Sequence, residues 1–307
     1  MTEMKNFAVA IAMVKQAFPE AEILTEELMS RHTSFRIGGS VPVLFLPKSV
    51  QEVQTICRVL TELSIRTLVI GNGTNLLVSD RPPELAVIQM GENMSRIESV
   101  CDTVIRAESG AILSKIAMFA LHESLTGLEF AHGIPGSLGG AVCMNAGAYG
   151  GEMKDVIRKV TVLSPDGVVR DYSGEQCEFA YRQSRFSDGK AVVLSAELAL
   201  QKGDPTAIRT RMEELSERRK NSQPLQLPSA GSTFKRPATG YAAALIEEAG
   251  LKGFAVGDAC VSEKHAGFVV NRGSATFEDV LAVMDHVQET VHRKFGVLLV
   301  PEVKVIQ

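Results

Sequence analysis

One stretch constrains the fold of this chain more than any other. Residues 133–150 read GIPGSLGGAVCMNAGAYG, in which six of eighteen residues are glycine and none is charged. The run shows no helical or strand period. Glycine loses more conformational freedom on folding than any other residue, so such a cluster marks backbone that needs positive φ or that something must touch closely. Two readings fit it: a bulky anionic ligand lying against peptide N–H groups, or a tight crossover packed beneath other strands.

Composition narrows the choice. At 307 residues, 45% apolar and 22% charged, the chain suits two or three globular subdomains. No window of eighteen apolar residues occurs, so no membrane span is expected. The opening MTEMKNFAVAIAMVKQAFPEAE has no basic start, apolar centre or small-residue cleavage site, and the expected location is the cytoplasm. Five cysteines, at 57, 101, 143, 177 and 260, never form CxxC, and the six histidines form no HExxH, so neither disulfide nor metal is expected. A net charge of -4 with few aromatics and no tryptophan disfavours nucleic acid. A small-molecule site remains.

The pattern along the chain predicts α+β architecture. VPVLFLP from residue 41 reads as a strand, followed by Ser49 to Glu52 as a capping box and Val50, Val53, Ile56, Cys57, Leu60 and Leu63 on one helical face. TLVIG, LLVSD and LAVIQM read as strands of one compact unit. TVIRAESG leads into a helix over 111–123, and IRKVTVLS, a turn at 165–167, VVRDYS and AVVLSAELALQ form antiparallel sheet. Asp204-Pro205 opens a helix to about Lys220. Beyond the proline-broken SQPLQLPSAGSTFKRP come a helix over 241–249 closed by Gly250, the strand HAGFVVN, a helix from Thr276 to Phe295 closed by Gly296, and a final strand VLLVPEVKVI. The expected domains are 1–94, 95–203 and 204–307.

A second glycine turn lies at 70–77, IGNGTNLL. It fails the GxGxxG dinucleotide fingerprint because Leu76 takes the third glycine's place and a strand, not a helix, follows. Gly71, Asn72, Gly73, Thr74 and Asn75 nevertheless offer consecutive N–H groups with small polar side chains, a fair description of a pyrophosphate cradle. Asn-Gly is also the commonest hairpin turn. Together with Gly133, Ile134, Pro135, Gly136, Ser137, Gly139 and Gly140, this turn would supply both close N–H approach and a wall free of protruding side chains for a flat, ADP-containing cofactor.

IGNGTNLLVSD and GIPGSLGGAVCMNAGAYG, taken together, resemble the two-subdomain FAD-binding fold of the vanillyl-alcohol oxidase and p-cresol methylhydroxylase type. With RHTSFRIGG at 31, YRQSRF at 181–186, SAGSTFKRP at 229–237 and the terminal VPEVKVI, the set resembles the UDP-N-acetylenolpyruvoylglucosamine reductase family over nearly the whole chain. That resemblance implies FAD, NADPH as reductant, a UDP-sugar substrate and a C-terminal α+β substrate-binding domain. It further implies hydride transfer to an enolpyruvyl double bond in bacterial peptidoglycan synthesis.

Carried over residue by residue, the family motifs make Ser232 the proton donor to the enolate carbon. Arg182 becomes the partner of the substrate carboxylate and enolate charge, and Glu302 an assistant in stabilisation and protonation. On spacing alone, Ser232 is a turn residue, Arg185 rivals Arg182, and Glu302 alternates toward solvent. A partly buried Glu302 would have a raised pKa and act as an acid. Lys235 and Arg236 are expected at the UDP diphosphate or substrate carboxylate, and His265 receives no role. RFSDGKAVVL lacks the inserted tyrosine loop of some members, so the chain resembles the shorter subtype and the residue covering the diphosphate is left open. Two other readings remain: a flavin oxidase or dehydrogenase of the same fold acting on another small molecule, and a non-catalytic nucleotide-binding module.

Overall fold

The structure, a computed structural model, describes residues 2–81 and 83–307. The chain divides into two compact units, each assembled from separated segments. One takes the chain up to Glu27 with Pro42–Asn72 and Glu84–Glu217; the other takes Leu28–Val41, Gly73–Pro83 and Arg218–Gln307.

The first unit contains two sheets. Strands Ser40–Leu46, Ala86–Gln89 and Thr67–Ile70 run parallel, with Glu22–Leu28 completing a four-stranded sheet at the other edge. The helix Val50–Glu62 buries Val53, Ile56 and Leu60 of the expected face together with Val59, while Val50, Cys57 and Leu63 of that face are half-buried against the same core. Ser49 Oγ accepts from the Glu52 N–H at 3.2 Å, while the Glu52 carboxylate reaches the N–H of Lys48 at 2.8 Å, so the cap closes one residue earlier than the standard box. The helix Thr2–Ala17, absent from the sequence-based expectations, joins this core through Phe7, Ala10 and Val14, spaced to share one face.

The second sheet is antiparallel, in the order Val169–Ser173, Ile157–Leu163, Val192–Ala199, Val104–Glu108, Ile97–Cys101. The helix Leu113–His122 and the chain around Leu138–Val142 share a buried cluster with it. The glycine run does contain a helix, Leu138–Cys143, contrary to its aperiodic appearance. Burial of Leu138, Ala141 and Val142 at i, i+3 and i+4 holds this short turn despite Gly139-Gly140, so tertiary packing overrides propensity. Gly139 is needed for close approach, since a Cβ there would stand 3.0 Å from Ser109 Cβ.

In the second unit the helix Phe277–Phe295 is closed by Gly296 at φ +68°, as expected, and its start carries a Thr276/Asp279 capping box that the sequence reading did not name. It buries Phe277, Val280, Val283, Met284, Val287 and Val291 in a cluster shared with Val261 and Val269. These belong to the antiparallel strands Ala259–Val261 and Val269–Asn271, with Ala255–Val256 beyond. Two expectations change here. Leu76–Val78 does not join the sheet of its sequence neighbours but pairs parallel with Lys304–Ile306, 228 positions later by the Leu76 to Lys304 register. The last strand is confined to Lys304–Ile306, because Pro301 has no N–H to extend a ladder through VLLVPEV. No helix among the described residues is long and apolar enough to cross a membrane.

Candidate active site

In the first unit the two glycine segments abut. Asn72 Nδ2 donates to Pro135 O at 2.6 Å, and Gln89 Nε2 holds Gly71 O at 3.2 Å. A Cβ on Gly71 would come within 1.9 Å of Ser137 Oγ and 3.2 Å of its Cβ, so a side chain there would displace that hydroxyl. Ser137 is 3% exposed, and neither its Oγ nor that of buried Ser109, whose carbonyl accepts from the Gly139 N–H, has a hydrogen-bond partner among the described residues. Leaving a buried hydroxyl unsatisfied costs about 1–3 kcal/mol. Gly140 is exposed and a Cβ there would meet open space, whereas Gly136 is tied down through its carbonyl to the N–H of Leu113. Gly133 and Ile134 are half-buried, and burial lowers the pKa of the adjacent His132.

Arg182 lies in the same unit, half-buried, at the tip of a two-residue turn between Ala180 and Gln183. Its Nη2 donates to Gly147 O at 3.1 Å and its guanidinium carbon is 5.1 Å from the Tyr181 ring centroid. Arg185, its rival by sequence, is exposed, pairs with Glu178 and packs over Tyr172. The half-buried Glu152 also feels Arg182. Burial alone would raise its pKa, but hydrogen bonds from Lys154 and Asn145 and the charges of Lys154 and Arg182 hold it below the usual carboxylate value.

The second unit pairs the segment that carries Ser232 with the segment that carries Glu302. Phe234 bridges Pro301, the Lys235 N–H donates to Val300 O at 2.8 Å and the Glu302 N–H donates to Thr233 O at 2.8 Å. Glu302 therefore stands opposite Thr233, the residue that follows Ser232. Thr233 is 3% exposed and fastened on every side: its N–H donates to Gly267 O and its Oγ1 accepts from the Val269 N–H at 3.0 Å. Ser232 is exposed and Glu302 half-buried. His265 supports this corner from behind, accepting the Gly267 N–H on Nδ1 at 3.1 Å, and burial depresses its pKa.

Gly73, Thr74 and Asn75 belong to this second unit. Gly73 has φ +60°, and a Cβ would meet His32 O at 1.9 Å. Its carbonyl accepts from the Ser34 N–H, whose own Oγ donates to Ser229 O at 2.6 Å, so RHTSF links the glycine turn to SAGSTF. Asn75 spans the catalytic candidate: its Nδ2 donates to Glu302 O at 3.1 Å and its carbonyl accepts from the Lys304 N–H. Arg236 lies over the exposed Tyr241 ring at 4.3 Å and donates through Nε to Gly240 O, with half-buried Lys235 beside it. Sequence reading missed Thr233, Ser34 and Asn145. Only Asn145 carried a signal, as a residue tolerant of left-handed backbone inside a glycine run.

Comparison with known proteins agrees with this layout. A model of the FAD binding domain matches residues 41–173, and one of the UDP-N-acetylenolpyruvoylglucosamine reductase C-terminal domain matches 223–306. The reductase of Caldanaerobacter subterraneus subsp. tengcongensis is 47% identical over 97% of this chain and 98% of its own. That of Clostridioides difficile strain 630 is 45% identical over 93% of each. The crystal structure of the reductase from Thermus caldophilus superposes with a TM-score of 0.80 at 34% identity, covering 94% of this chain and 99% of its own. At such identity over nearly its full length, the chain belongs to the UDP-N-acetylenolpyruvoylglucosamine reductase family.

Proposed function

We propose that Ser232, Glu302 and Arg182 carry the protein's share of the family reaction. That reaction is NADPH-dependent reduction of the enolpyruvyl group of UDP-N-acetylenolpyruvoylglucosamine to UDP-N-acetylmuramate, in peptidoglycan synthesis. The chemistry supplied by FAD, when bound, is hydride carriage from NADPH to the substrate double bond. The residues at the glycine segments fit that cofactor. The close approach at Gly71, the open face at Gly140 and the buried orphan hydroxyls of Ser109 and Ser137 are what a pyrophosphate against backbone requires. Gly71 to Asn75 and Gly133 to Gly140 are assigned to hold it, within domains 1–94 and 95–203; residues 204–307 are assigned to the UDP-sugar.

Hydride addition to the enolpyruvyl carbon leaves negative charge beside a carboxylate. A guanidinium matches that charge with planar donors, which is the part given to Arg182. Ser232 delivers the proton that completes reduction. A serine hydroxyl is a weak acid, so Glu302 serves as its relay partner. Lys235 and Arg236 are assigned to the diphosphate, and the cytoplasm is the assigned location. The observation that supports the reading is the Thr233–Glu302 backbone bond, which joins the segment of the half-buried Glu302 to the segment that carries the exposed Ser232.

Anaerobic stopped-flow mixing separates the two halves of the reaction. With Ser232→Ala, flavin bleaching by NADPH should remain near the parent rate while recolouring by enolpyruvyl substrate slows by roughly 10²–10⁴-fold, the range of general-acid contributions. Equal slowing of both halves rejects the role of Ser232.

A further inference from the structure

Arg182 occupies left-handed backbone, φ +54°, where a side chain stays only if its surroundings hold it. Ala180 and Gln183 exchange both backbone hydrogen bonds, at 2.9 and 3.2 Å, and so close the turn that presents Tyr181 and Arg182. One carboxamide ties the near arm of this turn to its neighbours. Asn145 is fully buried, itself at φ +43°. Its Nδ2 donates to Ala180 O at 3.0 Å and to Glu152 Oε2 at 2.8 Å, and its Oδ1 accepts from the Lys154 N–H at 2.9 Å. The partners dictate the amide orientation, since two are acceptors and one is a donor.

These bonds close a ring. Glu152 pairs with Gly147 across a two-stranded hairpin, and the Gly147 carbonyl is the acceptor for Arg182 Nη2. From Asn145 the path therefore runs through Ala180, Arg182, Gly147 and Glu152 back to Asn145. The far arm of the turn has its own anchor, because Cys143 O accepts from Ser184 Oγ at 2.8 Å and from Ser187 Oγ at 2.6 Å. Removing the carboxamide thus releases the tip of the turn without detaching the segment.

We propose that Asn145 is a positioning residue for Arg182: its carboxamide locks the Ala180–Gln183 turn onto the Gly147–Glu152 hairpin and so determines where the guanidinium is presented. This inference rests on the assignment of Arg182 to the substrate. Asn145 itself touches neither substrate nor cofactor in this role.

The test uses the flavin-loaded enzyme in the same two-step stopped-flow experiment. Asn145→Asp keeps the shape, the left-handed backbone and the acceptor for Lys154, but loses both donated bonds and sets a second carboxylate against Glu152. NADPH bleaching should stay within about twofold while substrate-driven recolouring slows about tenfold or more, the loss expected for a buried hydrogen bond made to a reacting group's support. The slow step should recover as pH falls, because a protonated Asp regains a donor. Asn145→Gly, whose backbone suits this φ, should slow recolouring without pH recovery and carries the test if Asn145→Asp fails to retain flavin. In an Arg182→Ala background either change should add less than about twofold. Equal slowing of both halves, or effects that multiply with Arg182→Ala, overturns the proposal and leaves Arg182's assignment standing. An Arg182→Ala enzyme with unaltered recolouring overturns that assignment, and the proposal with it.

Discussion

The corner that presents Arg182 and the corner that presents Ser232 are held by opposite means. Around Ser232 the scaffold is backbone: Thr233 and Lys235 are laddered to Glu302 and Val300, and Thr233 to Gly267. Around Arg182 it is side chain: Asn145, Glu152, Ser184 and Ser187 tie one loop to another. A ladder aligns its neighbours whatever side chains they carry, so substitution at Ser232 or Glu302 should leave the scaffold in place and affect the chemistry assigned to them. A side-chain tether is lost with a single residue, so the Arg182 corner is sensitive at positions that never meet the substrate.

That contrast can be broken by experiment. Glu302→Gln keeps the Thr233 bond, which is backbone, and should cut substrate-driven recolouring by about 10²-fold with unfolding temperature almost unchanged; a large loss of stability would show that the ladder depends on the carboxylate. Gly71→Ala drives a methyl into Ser137 Oγ and should cost about 1–3 kcal/mol in denaturant unfolding, with weakened flavin retention read at the flavin absorbance. Thr233→Val removes the acceptor of the buried Val269 N–H and should cost about 1–2 kcal/mol, locating how much of the Ser232 corner is side chain after all.

Smaller effects sharpen the picture. Burial depresses the pKa of His265, so the folded chain favours the neutral ring. Its contribution to stability is complete above the unfolded value of 6.5 and is lost as pH falls through the folded value. Urea unfolding across pH 7 to 5 should show that decline, and His265→Asn should flatten it. Least of all, Arg185→Ala removes an exposed, solvent-screened ion pair and should leave both half-reactions within about twofold. A strong kinetic effect there would transfer the assigned role from Arg182 to Arg185.

Much of the local structure is legible in the sequence. Thr276 with Asp279, Gly296, and Asp204 before Pro205 announce their helix ends because caps act over three or four residues. The strand segments likewise follow from their apolar patterns. The membership of Leu76–Val78 does not, since three apolar residues suit either sheet and the choice depends on a partner near the C-terminus. The helix in the glycine run is hidden for a related reason: its stability comes from what covers Leu138, Ala141 and Val142.

The motifs alone sufficed to name the reductase family, its flavin and its substrate class, because glycines at close-contact positions and short polar signatures are written at single residues. Folding was needed to pair Glu302 with Thr233, the neighbour of Ser232, and to bring the Asn145 carboxamide onto the turn of Arg182. The bonds concerned, Glu302 to Thr233 and Asn145 to Ala180, join residues 69 and 35 positions apart, and a bond across so long a loop forms only when packing elsewhere has already met the entropy of closing it.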